Sequence, residues 1–337
     1  MTQSSAGAAG PAPVTIPCGT TILVSTTLAG DVGPCPGTAI TVGNDGVTLD
    51  LGGHRVIGDG ISEGPRGEPG IVVSGRWGVT IRNGEVAQFD SGVYVEQSTD
   101  ITVTAINANH NIGAIRGDSI FGEGIQFFQV TDSRITASQV WRNGTFSGIN
   151  LYDTSRTVVQ GNTVFENNIV RTSADDGTPV AMQDIGIWIV FLELPTTGNV
   201  VRNNVVTRNG SDGIQISRAA NGNTVERNSV SGNGFGQMPG LRSGDGIAVL
   251  GNVNRVAGNQ AVRNAANGIR VVRSVNADTG LPNGGQTNTI QANTAFGNGT
   301  SSPSPAFDLA DTNLSPPCDN NAWLANTEGT KNQPCVN

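Results

Sequence analysis

His110, Tyr152, Arg116, Arg171 and Asp184 are the residues of this chain best suited to moving protons and holding an anion. The chain has two histidines, His54 and His110, and a single lysine, Lys331, near its C-terminus. His54 sits in "LDLGGHRV" and reads as structural, whereas His110 opens a stretch that breaks the surrounding pattern. An imidazole base, a phenol acid and guanidinium groups facing a carboxylate make a general acid–base set. Gln126 and Asn150 are amides able to share the anion-holding role. Asp184 with Glu123 offers the other arrangement, two carboxylates acting as acid and base. Asp212 and Asp245 each stand directly before a Gly-Ile pair. Like charges about 5 Å apart on neighbouring coils need a cation, a shared proton or solvent. They are therefore expected either to bind calcium or to cap their own turns. Zinc-type Cys/His spacing, phosphate loops and nucleotide fingerprints do not occur.

The elements that must position these groups are visible as a repeat. "GIVVS" at Gly70 returns as "GVYVE" at Gly92, "GIQFF" at Gly124, "GINLY" at Gly148 and "GIWIV" at Gly186. It continues as "GIQIS" at Gly213, "GIAVL" at Gly246 and "GIRVV" at Gly268, with "AFDLA" at Ala306 as a degenerate last copy. A second theme runs "NTVFEN" from Asn162, "NVVTRN" from Asn204, "NSVSGN" from Asn228, "NQAVRN" from Asn259 and "NTAFGN" from Asn293. A short period filled with β-like runs is the mark of a solenoid, in which each turn buries its apolar face only by stacking on the next. Strand alternation sends the Ile, Val and Leu of each copy inward. It turns Tyr94, Gln126, Asn150, Trp188 and Gln215 outward, with Glu96, Phe128 and Tyr152 two residues further on. Recurrent asparagines are expected to stack in a corner, each bonding the next. Longer segments before several Gly-Ile strands would rise as a wall beside the outward columns. Tyr94 to Trp188 would span roughly 15 Å at one coil per 4.8 Å. Aromatic and amide side chains along that row suit sugar faces and hydroxyls, so Tyr94, Glu96, Gln126, Phe128, Asn150, Trp188 and Gln215 are the expected substrate-binding residues.

From about Thr38 to Leu309 the chain resembles the right-handed parallel β-helix proteins of the pectate-lyase-like superfamily, and "DGVTLDLGGHRVIGDG" looks like their first coil. The resemblance implies an all-β, right-handed parallel β-helix of about nine or ten coils. It also implies a secreted enzyme on an acidic polysaccharide, most simply one working by β-elimination. In that scheme Arg116, Arg171, Gln126 or Asn150 neutralises the uronate carboxylate, His110 takes the C5 proton and Tyr152 protonates the leaving oxygen. Two other expectations stand beside it: a non-catalytic carbohydrate-binding or surface protein, and a small-molecule cyclase or isomerase using the aromatic row. The "NTD", "GHG" and "RIK" motifs of polygalacturonases and the "DPH" motif of mannuronan epimerases are missing. A lysine base is excluded by the position of Lys331.

Composition narrows the partners. The net charge is −8, and no basic stripe is visible for nucleic acid. No apolar run approaches the roughly 18–20 residues of a membrane span. Cys18 with Cys35 and Cys318 with Cys335 are expected as local disulfides at the two ends, placing the chain in an oxidising compartment. The opening "MTQSSAGAAGPAPVT" lacks an apolar signal core and reads as a flexible tail (1–15) before one domain (16–337). A monomer and a polysaccharide or small-molecule partner are expected, with no cofactor beyond calcium.

Overall fold

The computed structural model describes residues 12–60, 67–113, 122–144, 146–168, 171–172, 179–180, 184–235, 244–275, 282–300, 305–313, 318 and 320–337. The described secondary structure is β-strand throughout, and the long sheets pair in parallel. The Gly-Ile strands form one eleven-stranded sheet. It begins with Thr20–Ile22 and Ile40–Val42, passes through all eight Gly-Ile copies, and ends on Leu309–Asp311. The chain is thus a right-handed parallel β-helix. It is slightly longer than the repeat suggests, because the first two strands, "TTI" and "ITV", carry no Gly-Ile signature. Val14 bridges in parallel to Leu28, so the first coil starts inside the tail expected through residue 15.

Two further ribbons complete the prism. Thr102–Asn109 pairs at its start with Arg134–Thr136 and at its end with Gln139–Trp141, and both ribbons continue coil by coil to the C-terminal cap. All three faces bury apolar columns in a shared interior, to which the Gly-Ile sheet gives the residue after each glycine. Val93, Ile125, Ile149, Ile187, Ile214, Ile247, Ile269 and Leu309 are all completely buried, each worth roughly 1.5–3 kcal/mol against exposure.

The asparagines stack as expected. Nδ2 of Asn143 donates to Oδ1 of Asn167 (2.9 Å), Asn167 to Asn209 (2.9 Å), Asn209 to Asn233 (3.0 Å) and Asn233 to Asn264 (3.0 Å). The first asparagine of each motif builds a second ladder from Asn162 through Asn204, Asn228 and Asn259 to Asn293. A third, from Asn199 through Asn223 and Asn254 to Asn288, caps the opposite turn. The Gly-Ile glycines are fixed by the first ladder: a Cβ on Gly186 would lie 2.7 Å from Asn209 Nδ2 and 2.5 Å from the Gly213 carbonyl oxygen. Both disulfides form, Cys18–Cys35 and Cys318–Cys335, each closing a loop worth roughly 3 kcal/mol in the chain-entropy account.

Candidate functional site

The outward columns of the Gly-Ile sheet have the register the alternation requires. Tyr94, Gln126, Asn150, Trp188 and Gln215 stand side by side on successive strands, as do Glu96, Phe128, Tyr152 and Val190. The surface they form is not an open groove, however. Phe146, from the turn before Ser147–Tyr152, and Phe191 and Leu192, from the turn after Ile185–Val190, close over it. What remains is a cleft of about 630 Å³ lined by Gln126, Phe128, Tyr152, Trp188 and Ser217, with Arg218 at one side. Asp153 holds the covering turn in place: its carboxylate accepts the backbone N–H groups of Leu192 (2.7 Å) and Glu193 (3.1 Å).

Tyr152 lies outside the solenoid core, as its register predicts, but it is only 8% exposed. Its ring meets Phe128 (6.5 Å between centroids) and Trp188 (5.8 Å), and Trp188 in turn meets Phe146 (5.8 Å). Trp188 is anchored by its indole N–H, which donates to Ser217 Oγ at 2.6 Å. These rings form a satellite apolar cluster, separate from the core, so the exposed aromatic row expected from sequence is a packed one, with Tyr152 buried and Phe128 and Trp188 half-buried.

Behind Gln126 and Tyr152 lies a buried carboxylate. Glu123, directly before Gly124, is fully buried. Its Oε2 accepts from Ser91 Oγ and from the Gly122 N–H, both at 3.0 Å, and its Oε1 accepts from Asn150 Nδ2 at 3.3 Å. Burial outweighs these bonds and pushes the Glu123 carboxyl up to about 7. The Tyr152 phenol is raised well above its ordinary value, first by burial and then by the Glu123 charge, against a hydrogen bond from Asn150. Tyr94 is raised for the same two reasons, with Glu96, which accepts its phenol O–H at 3.0 Å, as the nearer charge. Among the described residues, the buried oxygens Gln126 Oε1, Ser147 Oγ and Asn150 Oδ1 have no hydrogen-bond partner. Such acceptors call for a donor from elsewhere.

Several expected site residues are not brought here. His110 follows the strand Thr102–Asn109, on the face across the asparagine corner. Its Nδ1 bonds Asn109 Oδ1 at 2.8 Å, and its ring packs edge-on against Trp141, which stacks on Phe165. Neither of those aromatics lines the cleft. Burial and the Arg142 charge lower the His110 imidazole. The expected base is therefore a packed ring on another face, because the corner turns the chain between Asn109 and the next Gly-Ile strand. Asp184 is buried at a corner against Gly210, with left-handed backbone (φ 45°), and is not part of the cleft lining. Arg116 lies outside the described residues. Arg171 belongs to the two-residue strand Arg171–Thr172, paired antiparallel with Pro179–Val180, and its side chain is outside the description. Gln215 turns its amide to Asp212 (2.7 Å).

Asp212 and Asp245 act as caps. Asp212 Oδ1 accepts the Asp245 N–H (2.7 Å); Asp245 Oδ1 accepts both the backbone and side-chain N–H of Asn267 (2.9 and 2.8 Å). Asp245 Oδ2 takes Arg270 Nε at 2.6 Å. Protein donors occupy these oxygens, which is the capping arrangement of the two that the sequence left open. Among the described residues no group of three or more His, Cys, Asp or Glu is placed to hold a metal ion.

Phe146, Ser91, Phe191, Leu192 and Arg218 were missed in the sequence. The one available signal was the turn "FLELPT" after Gly186, longer than its neighbours; Phe146 and Ser91 carry none.

Residues 51–298 match the protein family described as "Periplasmic copper-binding protein (NosD)". No curated protein matches significantly. Among solved structures, the alginate lyase from Paenibacillus sp. str. FPU-7 is 16% identical with a TM-score of 0.52, covering 95% of this chain and 90% of that one. The Azotobacter vinelandii mannuronan C-5 epimerase AlgE6 A-module is 14% identical with a TM-score of 0.57, covering 94% and 84%. The periplasmic alginate epimerase AlgG is 12% identical with a TM-score of 0.57, covering 92% and 75%. At such identities the likeness is one of fold. Among the described residues the copper in the family's description finds no donor set. All four cysteines are in disulfides, His54 lies 3.7 Å from Asp31, and His110 packs on Trp141. Copper favours imidazole, thiolate and thioether donors together, and the described residues do not assemble them.

Proposed function

The chain belongs to the NosD family of parallel β-helix proteins, and from that premise we propose that its cleft binds and processes an acidic polysaccharide. The observation that carries this reading is the set of partnerless buried acceptors, Gln126 Oε1, Ser147 Oγ and Asn150 Oδ1, beside an aromatic wall. Sugar rings offer apolar faces to Phe128 and Trp188 and hydroxyl donors to the acceptors, directly at Gln126 and through ordered water further in. Arg218 at the cleft supplies a cation for a uronate carboxylate, and Arg116 and Arg171 are assigned the same role from sequence. In a β-elimination Tyr152 hands its proton to the leaving oxygen as the C4–O bond breaks, the C5 proton passes to solvent water at the open side of the cleft, and solvent returns a proton to the phenolate. Burial keeps it a phenol, and it is therefore an acid rather than a base. Glu123 is a positioning residue: through Asn150 it orients the phenol, and its charge sets how readily that phenol gives up its proton. The two disulfides and the family's periplasmic description support an extracytoplasmic protein, and release from the cell is the finer proposal.

A panel of polyuronates tests the reading. Elimination creates a C4–C5 double bond, so absorbance in the unsaturated-uronate band should grow with at least one substrate. Binding without product would favour a carbohydrate-binding protein. One observation favours a second reading, a small-molecule cyclase or isomerase: the cleft is mostly aromatic and aliphatic, and short. Compact apolar ligands that displace no polyuronate, yet turn over, would establish it instead.

A further inference from the structure

A second cavity, of about 480 Å³, lies along the turn that follows the Gly-Ile strands, lined by Gly75, Arg76, Trp77, Gln97, Thr99, Gln129, Thr131 and Leu194. Resting on the reading above, we propose that this groove is a distal subsite for an acidic sugar unit of the same chain. Four observations point there. Trp77 is 58% exposed, more than Phe235 (51%) or Phe296 (41%), the other exposed aromatics among the described residues. Arg76 makes no ion pair among the described residues, and its buried Nε has no partner, so it is a cation held ready for an anion. Gln97 and Gln129 join side chain to side chain (3.3 Å) on neighbouring coils, as Thr99 and Thr131 do (2.9 Å), leaving a row of amides and hydroxyls. Trp77, Thr99, Thr131 and Ser155 also bridge in parallel through their backbones, so the groove floor is as rigid as the sheet beside it.

The groove lies across one turn from the cleft. Phe128 lines the cleft and the next residue, Gln129, lines the groove; Leu192 and Leu194, two residues apart on the turn held by Asp153, flank one cavity each. A chain seated in the cleft therefore runs over that turn towards Trp77, crossing coils about 4.8 Å apart. There an indole face takes a pyranose ring and Arg76 takes its carboxylate. Short oligomers fill the cleft alone, and only longer ones reach the groove.

Trp77→Ala and Arg76→Gln test this, with oligomers of polymannuronate and polygalacturonate of graded length as probes. Binding is followed by calorimetry and turnover by absorbance. Both variants should weaken binding of long oligomers roughly tenfold, leave short ones unchanged, and abolish the length dependence of KM while kcat on short substrate stays the same. Long and short oligomers weakened equally, or not at all, while the wild type still processes polyuronate, would overturn the subsite and leave the function standing. A wild type that binds no polyuronate of any length would overturn both.

Discussion

One column of the structure behaves in two ways. Apart from Pro69 and Ile185, the residue directly before each Gly-Ile glycine is polar; in the later coils it is Asp212, Asp245 and Asn267, and in the earlier ones Ser91, Glu123 and Ser147. In the later coils the bonding closes upon itself. Each carboxylate accepts the N–H of the next coil and a side chain from its own, Gln215 for Asp212 and, one coil on, Arg270 for Asp245. In the earlier coils the register is the same but the bonding stays open. Among the described residues, Glu123 is buried without a cation, and Gln126, Ser147 and Asn150 keep acceptors without donors. The comparison teaches how to tell architecture from site in a solenoid. Where the ladder is saturated, a carboxylate is a cap; where it is left unsaturated, we propose that a ligand supplies the missing partner.

The largest expected effect of breaking that contrast is in the closed region. Asp245→Ala strands the half-buried Arg270 guanidinium and the Asn267 N–H, and should cost roughly 3–5 kcal/mol in urea unfolding, while activity of the folded fraction is unchanged. In the open region the effect depends on pH. Burial pushes the Glu123 carboxyl up to about 7 from its ordinary 4.5, so between these values the folded protein holds a proton that the unfolded chain releases. Stability is therefore highest below about 4.5 and falls by ~3 kcal/mol as pH rises through 7. Glu123→Gln should flatten that slope across the same window, and should keep turnover high above pH 7, where the wild type declines because the ionised Glu123 raises the Tyr152 phenol. A slope that survives in Glu123→Gln would assign the titration elsewhere. The smallest effect is at His110: His110→Ala loses one edge-on contact with Trp141, about 0.5–1.5 kcal/mol, and should leave turnover unaltered. Lost turnover would return the imidazole to the mechanism.

Much of the fold was legible because the same physics repeats on every coil. Gly-Ile alternation set the inward and outward columns correctly from Tyr94 to Gln215, and the recurrent asparagines marked one corner ladder, while the second, from Asn162 to Asn293, lay unread in the same motif. The third, through Asn199 and Asn223, was written in the turns but lacked a flanking motif. The site was legible only by column. Gln126, Phe128, Tyr152 and Trp188 fall together because one register places them all. His110 and Asp184 were misplaced because proximity in sequence to a long segment says nothing of which face a corner residue joins. Phe146, Phe191 and Leu192 close the cleft from turns, where no periodicity fixes direction. Asp212 and Asp245 could be read as ligands or caps until the positions of Arg270 and Gln215 were known.

The central claim, that the unsaturated stretch of the column is the working site, is tested most directly by Tyr152→Phe. The substitution keeps the ring among Phe128, Trp188 and Phe146 and removes only the hydroxyl, so unfolding should shift by about 1 kcal/mol. Product formation from the polyuronate that the wild type processes should fall at least a hundredfold. Turnover by Tyr152→Phe at the wild-type rate, with stability equally unchanged, would contradict the account.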